Sequence, residues 1–95
     1  MAVSQPATFN EGWSDERVFA YLGHVPPEGI NADFYVLYNA FKHMRAYDFE
    51  RLLTQFKQDG RDILAQDTQG QNIYQVISNF PKQRDEFLVV LKKFM

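Results

Sequence analysis

Gly60-Arg61-Asp62-Ile63-Leu64-Ala65-Gln66-Asp67-Thr68-Gln69-Gly70-Gln71-Asn72-Ile73-Tyr74-Gln75-Val76-Ile77 is the stretch that decides the fold. Up to Gly70 it has no helical apolar period, and it separates two segments that do. Gly60 is placed to end a helix in the left-handed conformation. Asp67-Thr68-Gln69-Gly70 reads as a type I turn, with Asp favoured at the first position and Gly at the fourth. Asn72 reads as a helix N-cap, because its side-chain oxygen accepts an otherwise unpaired backbone N–H. A helix stop, a turn and a helix start in close succession make this a connector between two helical halves.

Upstream of Gly60, Phe49, Leu52, Leu53 and Phe56 form one face of a helix predicted over Phe49–Gln58. Asp48 is its expected cap, with Tyr47 and Leu52 as a hydrophobic staple. Phe34, Leu37, Tyr38, Phe41 and Met44 follow the i, i+3, i+4, i+7 template and predict a helix over Ala32–Met44. Asn31 caps it, and Ile30 and Tyr35 are placed as a staple. The short joint His43–Tyr47 sets these two helices antiparallel. A first helix is expected over Asp15–Leu22, capped by Ser14, stapled by Trp13 and Val18, and stopped by a left-handed Gly23. His24-Val25-Pro26-Pro27 cannot be helical. The polar, aperiodic segment Met1–Gly12 reads as a flexible tail.

Downstream, Ile73, Tyr74, Val76, Ile77 and Phe80 mark a fourth helix, and Pro81 either breaks it or begins the next segment. A fifth is predicted over Arg84–Phe94, with Phe87, Val90, Leu91 and Phe94 on one face. The last two helices form a second hairpin. The pattern Phe49, Leu52, Leu53, Phe56 recurs 38 residues later as Phe87, Val90, Leu91, Phe94. Leu37, Ala40 and Phe41 align less cleanly with Tyr74, Ile77 and Ser78 at a spacing of 37. Two helices per unit at this period are solenoid-like.

The connector resembles the ankyrin repeat, which reads G-A-D-[VI]-N-A-x-D-x-x-G-x-T-P-L-H-x-A. Gly60, Asp62, Ile63, Ala65, Asp67 and Gly70 match without a gap, and Asn72 replaces the Thr cap. Arg61, Leu64, Ile73, Gln75 and Ile77 depart from the pattern, and Ile77 in place of the small Ala implies a wider helix spacing. The resemblance covers about residues 34–94. It implies an all-α fold of about five helices: two antiparallel pairs stacked in ankyrin-like manner, with the N-terminal helix capping the open end. One domain over residues 13–95 is expected.

Composition is consistent with a single small domain. The chain has 95 residues, too few for two domains. It has no cysteine, which excludes disulfides and thiolate chemistry and fits a cytoplasmic setting. Lys and Arg number 10 against 12 Asp and Glu, so bulk attraction to nucleic acid or membrane is not expected. The longest apolar run, Phe87–Leu91, falls far short of the roughly 20 residues of a membrane span. Aromatics make up 16% of the chain, and their helical spacing assigns most of them to the core.

No constellation of catalytic type is present. His24 and His43 have no metal-ligand spacing, and Ser4, Ser14 and Ser78 lie in no nucleophile elbow. Asp15/Glu16 and Asp85/Glu86 sit at helix starts, where the dipole favours negative charge. No catalytic residue, metal or cofactor is expected. The resemblance instead implies a non-enzymatic protein-interaction module; a stack of only two units, with one apolar end open, is expected to be a monomer or weak homodimer. Its family binds partners through loop tips and the exposed face of the first helices. On this chain those positions are Leu64, Gln66, Thr68 and Gln69 at the tip, with Lys42, Gln75 and Asn79 on the helix surface. The alternative is nucleic-acid binding through Lys42, Arg45, Arg51, Lys57 and Arg61, with Arg61 projecting from the loop and Tyr38 and Tyr47 stacking on bases.

Overall fold

Asn31 and Asn72 start helices in the computed structural model, which describes residues 13–80 and 84–95. Asn31 Oδ1 accepts from the Asp33 and Phe34 amides at 2.8 and 3.1 Å, opening a helix over Ala32–His43 (α2). Asn72 and Gln75 form a reciprocal capping box, each side chain accepting the other's backbone N–H at 2.9 Å. It opens Ile73–Ser78 (α4). Ser14 Oγ accepts from Arg17 N at 3.2 Å and starts Asp15–Phe19 (α1). The remaining helices are Ala46–Gln58 (α3) and Arg84–Lys92 (α5). The described residues contain no strand, only an isolated antiparallel bridge between Gln66 and Asn72. The fold is all-α, with five α-helices among the described residues.

The ends differ from expectation in informative ways. α1 stops at Phe19 and tightens into a 3₁₀ turn over Ala20–Gly23. Gly23 is not left-handed; the chain leaves through an extended His24 instead (φ −66°, ψ 133°). The following prolines demand that extended exit. Gly60 does take the left-handed form, at φ +76°. The Gly60 and Arg61 amides donate to the Lys57 and Phe56 carbonyls at 3.0 and 3.2 Å, the paired bonds of a Schellman stop. α4 ends before Phe80, and α5 before Phe94, although both rings still pack at the core. The expected tail Met1–Gly12 and the break at Pro81 lie outside the described residues.

The largest correction concerns α3. It begins at Ala46, so the joint from α2 shrinks to an extended Met44–Arg45, and Arg45 is the cap position without a side-chain bond. Asp48 is therefore not the cap but sits in the first turn, and it is fully buried. Tyr47 is 64% exposed and staples nothing. Asp48 Oδ2 accepts from Trp13 N at 3.2 Å, and Oδ1 accepts from Arg51 Nη1 at 2.9 Å. Arg51 Nη1 also donates to the Trp13 carbonyl at 2.6 Å, and Nη2 to Asp15. The hydrogen bond to Asp15 above all holds the Arg51 guanidinium above its ordinary value; desolvation opposes it, and Asp48 adds to the rise. This clasp fastens α1 onto α3.

The core joins every helix. α3 packs against α1, α2 and α5, and α4 packs against α2 and α5. Phe87 of α5 meets Phe41 of α2 edge-on at 4.9 Å and Phe49 of α3 at 5.2 Å. Val36, Leu37, Leu52, Leu53, Phe56 and Leu91 are fully buried around them.

Candidate interaction surface

The connector is built as a rigid arch. Asp62 opens it: its Oδ1 accepts from Leu64 N at 2.9 Å and its carbonyl from Ala65 N at 3.2 Å. Ile63 and Ala65 turn inward and are buried, which leaves Leu64 between them 52% exposed. At the tip, Gly70 N donates to the Asp67 carbonyl at 3.1 Å, which closes the expected turn. Asp67 Oδ1 accepts from both Gln69 N and Gln71 N at 2.9 Å. Such carboxylate-to-amide bonds are the reason Asp is preferred there.

The base of the arch is held by Arg61. Its Nε donates to Asp33 Oδ1 at 2.7 Å and its Nη1 to the Leu22 carbonyl at 2.8 Å, while Asp33 Oδ2 accepts from Asp62 N at 2.9 Å. The guanidinium lies 5.3 Å from the Phe56 ring centroid. Arg61 thus points into the molecule and does not project from the loop, its planar fork bonded to a carboxylate and a carbonyl at once.

Beneath the tip is a recess of about 380 Å³ between the arch, α2 and α4. Phe34 and Tyr38, stacked at 5.9 Å, form its floor with Val76 and Phe80. Thr68, Gln69 and Asn79 stand on its rim, so three of the anticipated residues meet around one cavity. Lys42 adjoins it, its Nζ 4.7 Å above the Tyr38 ring. Leu64, Gln66 and Gln75 are exposed but do not line it. The Gln75 side chain is engaged in the α4 capping box and Gln66 in the bridge to Asn72. In the sequence Phe34 registers only as helix face, whereas Tyr38 enters both as helix face and as a base-stacking residue of the nucleic-acid alternative.

The five cations considered for nucleic acid do not assemble. Arg51 and Arg61 are bound within the chain, and Lys42 rests on Tyr38. Arg45 precedes α3 and Lys57 lies in its last turn, about 18 Å apart along the axis. Among the described residues no group of three or more His, Asp or Glu is placed to hold a metal ion.

A larger recess, about 720 Å³, lies on another face between the start of α3 and α5. Tyr47 and Val89 border it, with Arg45, Glu50 and Glu86 at its edges. A scan against family models finds no match, and searches of curated proteins and of solved structures find no relative.

Proposed function

We propose that this chain is a non-enzymatic, ankyrin-like interaction module that takes a protein partner at the recess under the Asp67–Gly70 turn. The observation that carries this is the recess itself: an aromatic floor with a polar rim whose one carboxylate, Asp67, is tied to backbone amides, set under an arch held at base and tip. Such a site suits one apolar anchor of a partner, with the Gln69 and Asn79 amides bonding to its backbone. The helix stop at Gly60, the turn, and the helix start at Asn72 fall where the ankyrin pattern requires them, which supports the family reading. No helix among the described residues is long and apolar enough to cross a membrane, and the cysteine-free composition suits a cytoplasmic setting.

The test is site-specific photo-crosslinking in the native host. A photoreactive residue at Gln69 is expected to capture a discrete partner, and one at the exposed Thr54 is not. Adding Asn79→Arg at the rim should abolish the Gln69 adduct. Identical adducts from both positions, or persistence with Asn79→Arg, overturn the reading.

A further inference from the structure

The outer stripe of α5 is a charge palindrome. Asp85 and Glu86 lie four and three residues before Val89, and Lys92 and Lys93 lie three and four after it. At these spacings Asp85, Glu86, Val89 and Lys92 share one face of α5, Lys93 follows in the turn that closes it with its N–H on the Val90 carbonyl at 3.1 Å, and all five residues are exposed. Helix dipoles favour acids at the start and bases at the end. They give no reason for a 61% exposed valine at the centre, nor for the 64% exposed Tyr47 across the recess from it.

We propose that this face is a homodimer interface in which α5 packs antiparallel against α5 of a second copy about a two-fold axis at Val89. The register follows from the sequence. With Val89 opposite Val89, Asp85 of one copy faces Lys93 of the other and Glu86 faces Lys92, and the symmetry doubles both pairs. A parallel arrangement would set like charges together. Lys93 already lies along this face through its 3.0 Å bond to Glu50, so its ammonium stands at the edge of the recess. Val89 and Tyr47 supply the apolar centre, and the four charges supply orientation and a polar rim. This interface is separate from the recess under the connector, and neither reading depends on the other.

Sedimentation of the full chain from low to high micromolar concentration tests it. The mass is expected to rise from 11.2 kDa towards twice that value, and less steeply in high salt. Val89→Asp should remain at the monomer mass. Asp85→Lys/Glu86→Lys and Lys92→Glu/Lys93→Glu should each be monomeric alone, because like charges then face each other. Mixed together they should associate, since all four pairs become opposite in sign. Recovery on mixing also shows that both variants are folded. A wild type that stays monomeric throughout leaves the face to a different protein and overturns the pairing. So does Val89→Asp associating like wild type, or a mixture that stays monomeric.

Discussion

Asp48 shows how much one buried charge can organise. It is fully enclosed, yet both its oxygens are bonded, one to Arg51 and one to a backbone N–H 35 residues away. Removing Asp48 leaves Arg51 with Asp15 and the Trp13 carbonyl, but strips the Trp13 amide of its acceptor at a part-buried site. Asp48→Ala should therefore lower the unfolding free energy by roughly 2 kcal/mol in urea titration. Asp15→Ala removes a partner of the same guanidinium, but Asp15 is exposed. Its cost should stay within about 1 kcal/mol. Equal losses from the two variants would show that the clasp does not depend on burial.

At the scale of the helix, ends matter more than middles. α4 has six residues, too few to persist without its cap. Asn72→Ala should cost about 1 kcal/mol and speed amide exchange at the first turn of α4 while leaving α3 protected. The glycines make a paired test. A methyl group at either Gly23 or Gly60 meets nothing within 4 Å, so only backbone conformation distinguishes them. Gly60→Ala, at φ +76°, should destabilise by about 1 kcal/mol, and Gly23→Ala should be neutral or slightly stabilising in the same thermal melt. The starts of α1, α2 and α4 were legible because capping is local chemistry: Ser14, Asn31 and Asn72 bond within three residues of themselves. The start of α3 was not. By local preference Asp48 reads as a cap, and only the arrival of Trp13 from far along the chain turns it inward. The candidate site divides the same way. Thr68 and Gln69 could be read from the turn. That the arch and α4 come together around Phe34 and Tyr38 of α2 is a matter of tertiary packing, which no local pattern encodes.

For the whole molecule, the question is what makes so small a core cohere. Phe87 touches the second and third helices from the fifth, so its ring couples elements from both halves of the chain. Phe87→Ala should cost roughly 4 kcal/mol, against a total stability on the order of 5–14 kcal/mol for a chain of this length. The calorimetric midpoint should fall by roughly 20 °C, in one transition rather than two. Separate melting of the two halves would show that they are independent units joined by the connector.

The clasp on α1 also has a consequence for how freely its target may vary. Asp48 and Arg51 grip Trp13 by its amide hydrogen and its carbonyl oxygen, groups that nearly every amino acid carries. The indole takes no part in those bonds; it lies 3.7 Å beneath the Arg17 guanidinium and fills the edge of the core. Recognition at this point is blind to side-chain identity, so position 13 tolerates an isotopic or fluorescent replacement of similar bulk while the attachment persists. Proline alone is barred, having no hydrogen to give.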